Sequence, residues 1–247
     1  MKYVKYGKEN REVIILLHGG GLSWWSYRSA AELISEKYHV ILPILDGHAG
    51  SDRHFTTIED NAKEVIEYID SRFGGKVRLL GGLSLGAQVA LEILSQRNDI
   101  CSKALIESAA VVPSKLTNSL IGPAFSSSYA LIKSRTFAKR QFKSLHIKDD
   151  LFEEYYRDTC LIEKEDMISF MKANTSYEMK DSIRETSADI HVYIGEKETS
   201  EIRKSALKIK EKLPQSTLTV LNGLRHGEFS INNAEMFAEE VRRIISL

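Results

Sequence analysis

Ser84 stands in the stretch LLGGLSLGAQVALEIL, Leu79–Leu94, with Gly82 and Gly86 placed symmetrically about it and Gly81 close by. A serine hydroxyl attacks a carbonyl only when a base takes its proton and nearby donors receive the oxyanion that forms. The pattern G-x-S-x-G suits that task. An apolar run precedes it and an apolar helical pattern follows, so a sharp strand–turn–helix corner is predicted at Ser84. Such a corner lifts the hydroxyl out of the sheet and aims the next N–H groups, that of Leu85 first, at the same point. Gly86, Ala87 and Ala90 are small enough to let the helix approach the sheet closely.

N–H groups cannot deprotonate a serine, so a histidine is required. Of the 7 histidines, His226 lies in the loop NGLRHGEFS, after the last predicted strand and before the final helix. His39 and His191 begin strands, His48 and His54 share the loop DGHAGSDRHF, and His146 falls in a helical region. His18 opens HGGG, where the glycines are the informative part. A carboxylate is then needed to fix the tautomer of the imidazole and stabilise its charged form. Glu198, in the loop YIGEKETSE before the His226 strand, is the first choice. Glu196 in the same loop is a rival, and Glu107, at the end of KALIE, is a third candidate. A second oxyanion donor is available in LLHGGGLSWW, Leu16–Trp25, where Gly20, with Gly21 its neighbour, leaves a buried strand with free N–H groups. Trp24 and Trp25 could wall the pocket or pack against the next helix.

These residues must be carried by a sheet. VIILL (Val13–Leu17), VILPIL (Val40–Leu45), KVRLLG (Lys76–Gly81), KALIE (Lys103–Glu107), IHVYIG (Ile190–Gly195) and LTVL (Leu218–Leu221) read as strands, and KYVKY near the start as an edge strand. Amphipathic helices alternate with them. Ile58, Ala62, Val65, Ile66 and Ile69 form one stripe, opened by a capping box from Thr56 to Glu59. Ile202, Ala206, Ile209 and Leu213 form another, and Ala234, Phe237, Val241, Ile244 and Ile245 a third. Strand–helix alternation implies a mostly parallel α/β sheet with helices on both faces.

From about Pro113 to Thr186 no strand is predicted, while SSYALIKSRTFAKRQFKSL, DDLFEEYYRDTC and EKEDMISFMKAN read as helices. The expected organisation is a core of residues 1–112 and 187–247 with a helical cap over residues 113–186, outside the carboxyl ends of the strands where ligands bind in open sheets. Phe125, Tyr129, Leu131, Phe170 and Met171 are its candidate pocket residues, with Phe125 and Tyr129 the foremost for substrate binding.

HGGG after one strand, GLSLG after another, then an acidic residue and finally a histidine resemble the α/β-hydrolase family in order and placement. LDGHAGSD, Leu45–Asp52, is similar to the loop that follows the next strand in that family: Asp46, Gly50 and Ser51 fit, while Ala49 departs from the commonest form. The resemblance covers nearly the whole chain outside the cap. It implies a serine hydrolase acting on an acyl ester through an acyl-enzyme, carboxylesterase-like, with Ser84, His226 and Glu198 as its triad and Gly20 and Leu85 as oxyanion donors. Proline iminopeptidases, carbon–carbon bond hydrolases and thioesterases share this plan, and some hydrolase-fold proteins are small-molecule receptors. Serine at the elbow argues against dehalogenases. Neither a metal nor an organic cofactor is expected: H-E-x-x-H, G-x-x-x-x-G-K-[ST] and G-x-G-x-x-G do not occur.

The bulk properties narrow the partners. The 247 residues carry 34 basic and 34 acidic side chains, which gives no electrostatic case for nucleic acid or an anionic membrane. A basic stretch, Lys133–Lys143, and an acidic one, Asp149–Asp158, read as solvated helix faces. Cys101 and Cys160 have no metal-ligand spacing and are expected as free thiols. No apolar run approaches a membrane span and MKYVKYGKENREV has no apolar signal core, so a cytoplasmic protein acting on a small molecule is expected. Oligomeric state is not legible.

Overall fold

A computed structural model describes the backbone of residues 1–247 and every side chain except those of residues 127 and 128. Seven strands form one sheet: β1 (Lys2–Tyr6), β2 (Val13–Leu17), β3 (His39–Ile44), β4 (Val77–Leu83), β5 (Cys101–Glu107), β6 (Asp189–Gly195) and β7 (Thr217–Leu221). Their order is β1-β3-β2-β4-β5-β6-β7, and all pairs are parallel except β1 with β3. Every apolar run read as a strand is therefore one, and β4, which leads to Ser84, lies at the centre.

Alternating side chains of β2 feed two cores. Val13, Ile15 and Leu17 pack on one face, with α2 (Ile58–Phe73), α3 (Leu85–Gln96) and α8 (Ser200–Lys212). Ile14 and Leu16 pack on the other, with α1 (Arg28–Ile34) and α9 (Ala234–Ser246). Because both faces are covered, β2 is buried along its whole length, which is why its sequence is uninterruptedly apolar. The stripes on α2, α8 and α9 all face the sheet as expected. The cap of α2 is displaced by one residue from the expected box: Thr57 Oγ1, not Thr56, accepts the Asp60 N–H at 3.0 Å. Thr57 is the residue that keeps an extended backbone ahead of the first helical turn.

Between β5 and β6 the chain leaves the sheet for four helices, α4 (Lys115–Ile132), α5 (Arg135–Ser144), α6 (Phe152–Leu161) and α7 (Lys164–Ser176). The long helix expected from residue 127 to 145 is in fact the end of α4 followed by α5, with the break at Lys133–Ser134. The first turns of α4 escaped the periodicity because few of their side chains are buried: Leu116 and Leu120 are exposed. Buried or half-buried polar contacts fasten the insertion to the core. Trp25 Nε1 donates to Asp158 on α6 at 2.8 Å, Arg28 donates to Glu154 at 2.7 Å, and Asp166 on α7 accepts the Phe55 N–H at 2.8 Å. Among the described residues, no helix is long and apolar enough to cross a membrane.

Candidate active site

The corner at Ser84 is built by close backbone approach. A Cβ on Gly86 would lie 2.1 Å from the Leu17 carbonyl oxygen, and one on Gly82 would lie 2.4 Å from Gly86. Glycine at both positions lets α3 start directly beneath β2 and β4. The cost falls on Ser84, whose φ of 54° and ψ of −114° place a non-glycine residue in the left-handed half of backbone space. Such a conformation costs about 1–3 kcal/mol and persists only where surrounding contacts hold it. Here they do: the Ser84 N–H donates to the Glu107 carbonyl at 2.9 Å, and its carbonyl accepts the Gln88 N–H at 3.0 Å.

His226 lies in the loop between β7 and α9, and Glu198 in the loop between β6 and α8. His226 Nδ1 meets Glu198 Oε1 at 3.0 Å and Oε2 at 3.2 Å. The carboxylate is almost wholly buried, while the imidazole keeps 45% of its side-chain surface exposed. Burial alone would favour the neutral acid at Glu198, but the His226 ring and the Ser108 hydroxyl bonded to Oε1 outweigh it and hold the carboxyl below its ordinary range. At His226 burial disfavours the charged ring, yet the bond and charge of Glu198, with the charge of Glu107 behind it, hold the imidazole above its ordinary value. An acceptor at Nδ1 requires the proton there, which leaves Nε2 of the neutral ring free to act as a base.

The rival acids are placed elsewhere. Glu196 is exposed, and its carboxylate accepts the Gly223 N–H at 2.7 Å in the turn after β7. Glu107 is 2% exposed and sits behind the pair, with Oε1 3.4 Å from the Ser230 N–H and Oε2 without a partner. Burial pushes its carboxyl up to about 7.

Ser84 and His226 line one cavity of about 360 Å³, together with Gly19, Gly20 and Gly21. Gly20 abuts Leu85, whose side chain would lie 3.5 Å from a Cβ at that position. The Gly21 N–H is already committed: it donates to His48 Nε2 at 3.1 Å. Sequence reasoning set aside both His48 and His18, yet these imidazoles secure the glycine loop. His18 Nδ1–H donates to the Gly19 carbonyl at 2.9 Å while its Nε2 accepts the Leu45 N–H at 3.1 Å. His48 Nδ1–H donates to the Asp46 carbonyl at 3.0 Å, and its ring stacks on Phe170, a cavity residue, at 4.4 Å between centroids. Burial lowers His18 to about 4; burial and the adjacent His18 lower His48 to about 3, so both are neutral. Their signal in the sequence was their place at the ends of β2 and β3, each beside a glycine.

Of the expected pocket residues, Phe125 from α4 lines the cavity, as do Phe170 and Met171 from α7. Trp24 and Tyr129 do not. Trp24 belongs to a short 3₁₀ turn and lies beneath the Arg28 guanidinium. Tyr129 turns toward α6, where its hydroxyl donates to the Ile162 carbonyl at 2.7 Å. Leu131 is exposed and off the cavity too. A fold built from side chains rather than a sheet ladder gives no register from which to read their direction.

A model of the alpha/beta hydrolase family matches residues 14–239. No curated protein matches the sequence. Among solved structures, an esterase from Exiguobacterium antarcticum is 19% identical with a TM-score of 0.82, covering 99% of this chain and 95% of that one. The enol-lactonase from Burkholderia xenovorans is 15% identical with a TM-score of 0.81, covering 100% and 96%. MenH from S. aureus is 16% identical with a TM-score of 0.77, covering 99% and 97%. At such identities the likeness is one of fold.

Proposed function

Because the chain belongs to the alpha/beta hydrolase family, we propose that it is a serine hydrolase that cleaves carboxylic esters through an acyl-enzyme. One observation supports the proposal: His226, paired at Nδ1 with the Glu198 carboxylate, lines the same cavity as Ser84. In this reading His226 takes the Ser84 proton as the hydroxyl attacks the ester carbonyl. The N–H groups of Leu85 and Gly20 receive the oxyanion, and each such donor contributes about 3–4 kcal/mol to the transition state. His226 then returns the proton to the leaving alcohol. In the second half of the cycle it activates water against the acyl-enzyme. The helical insertion covers the cavity as a cap, and its largely apolar lining suits a small or medium acyl group. The esterase and enol-lactonase among the structures of like fold support an ester-type substrate.

The test is labelling with a fluorophosphonate probe, followed by turnover of a chain-length series of p-nitrophenyl esters. The expected result is a label on Ser84, lost in Ser84→Ala, and steady-state ester hydrolysis. A label elsewhere would falsify the nucleophile assignment. A single acylation without turnover would instead support a receptor built on a hydrolase fold.

A further inference from the structure

Helical hydroxyls in this protein commonly return to a backbone carbonyl one turn back. Ser95 does so to Leu91, Thr175 to Met171, Ser176 to Lys172 and Ser246 to Arg242. Thr159 on α6 does not. It is 5% exposed and lines the active-site cavity, and its buried Oγ1 has only the Tyr155 hydroxyl, one turn back, beside it. Gln141, on α5, lines the same cavity, and its Oε1 is buried without a partner. Two buried polar atoms short of partners on neighbouring helices, in the wall of a cavity that is largely but not wholly apolar, call for a ligand group that satisfies them.

Both residues sit on helix turns anchored by their neighbours. Asp158, next to Thr159, is anchored by Trp25 Nε1 at 2.8 Å and by Arg157 Nε at 2.6 Å. Phe142, next to Gln141, packs on Phe152 and Tyr155 with centroids 5.5 and 5.0 Å apart, which locks α5 to α6. Thr159 and Gln141 are therefore carried on anchored turns of the wall.

We infer that the substrate carries a hydroxyl group on the portion seated beneath α5 and α6, where Thr159 and Gln141 receive it. This rests on the hydrolase reading of the same cavity and names its substrate class: esters of hydroxylated acids or alcohols. A hydroxyl both donates and accepts, so it can donate to Gln141 Oε1 and accept from the Thr159 hydroxyl, and it serves either orientation of the Gln141 amide. With the Gln141 amide as placed, its buried Oε1 needs a donor, which a carbonyl or carboxylate is not. An ammonium group would lack a counter-charge, since no Asp or Glu lines the cavity among the described residues.

The test uses the full chain and two ester series. In one, the acyl chain varies in length, with and without a terminal hydroxyl, on a fixed p-nitrophenol leaving group. In the other, alkyl acetates are compared with the monoacetates of the matching diols. The expected result is a kcat/KM at least about tenfold higher for the hydroxylated member in one series, which identifies the side of the ester held under the insertion. Thr159→Val and Gln141→Leu should each bring that ratio toward one, and Thr159→Ser should keep it. Each variant is read independently, so loss of one to misfolding leaves the other decisive. A wild-type ratio of one or less in both series, or a ratio that neither variant moves, overturns the inference and leaves the hydrolase reading standing. No turnover in either series and no label on Ser84 would remove that reading, and this one with it.

Discussion

The carboxyl edge of the sheet and the helical insertion face each other across one cavity, but they position their residues by different means. At the Ser84 corner of that edge, position is set by backbone: the β4–β5 ladder, the Ser84 N–H on the Glu107 carbonyl, and glycines that admit no Cβ. In the insertion it is set by side chains, such as the Phe142–Phe152–Tyr155 ring contacts and the Trp25–Asp158 bond. Backbone placement tolerates almost no substitution. Side-chain placement allows one wall residue to change while its neighbours repack. The edge is thus suited to a fixed reaction, and the insertion to a selectable substrate.

If that division is right, substitutions at the edge remove the reaction and those in the insertion redirect it. The largest effect is expected at Ser84 and His226: alanine at either should lower kcat by about 10⁴–10⁶-fold, with no further loss in the double variant, because the two act as a unit. Pre-steady-state and steady-state ester kinetics check this; additive losses would separate the two residues. Glu198→Gln should follow, with kcat down by about 10³-fold or more and KM little changed. Glu196→Gln, which disturbs only an exposed turn, should leave the rate within about twofold. Comparable losses at both would move the orienting acid out of its present place.

Gly86→Ala addresses the backbone argument directly. Its Cβ would meet the Leu17 carbonyl oxygen, so the variant should lose about 3 kcal/mol or more of stability, measured by denaturant unfolding. A stable, active Gly86→Ala protein would end the claim that backbone contact holds the corner. By contrast Phe125→Ala, on the insertion wall, should raise KM for medium-chain esters by about tenfold and leave kcat nearly unchanged.

The smallest effect concerns pH. The proposed mechanism needs neutral His226, and Glu198 and Glu107 hold its pKa above the ordinary histidine value. Activity should therefore rise with pH through a midpoint above that value and be lost as pH falls below it. Glu107→Gln removes the partial negative charge that this carboxyl, itself pushed up to about 7, carries behind the ring, so the midpoint should fall by about a few tenths of a pH unit. A midpoint that rises in Glu107→Gln would show that Glu107 does not act on the imidazole through its charge.

The same division explains what the sequence revealed. The strands were legible because a sheet covered on both faces demands continuous apolar runs, as at Val13–Leu17. Ser84, His226 and Glu198 were legible as candidates because each sits in the loop that follows a recognisable strand. The pocket was not. Phe125, Trp24 and Tyr129 were equally plausible as aromatic wall residues, and only the packing of α4 and of the turn before α1 separates them. Ser108 was invisible for another reason. Nothing local says that a serine after β5, itself at a φ of 53°, will donate its hydroxyl to Glu198, a partner 90 residues away. The roles of His18 and His48 likewise arise from contacts between β2 and β3 loops that no spacing encodes.

Those two imidazoles have a consequence for acid tolerance. Their folded-state pKa values of about 4 and about 3 lie below those of an unfolded chain. As the solution is acidified through the normal histidine range, the denatured chain takes up protons at positions 18 and 48 that the native molecule refuses, and the fold weakens progressively. The loop they brace nonetheless stays unprotonated until far lower. A mild acid pulse should therefore silence the enzyme reversibly, whereas a strong one should dismantle the glycine segment itself.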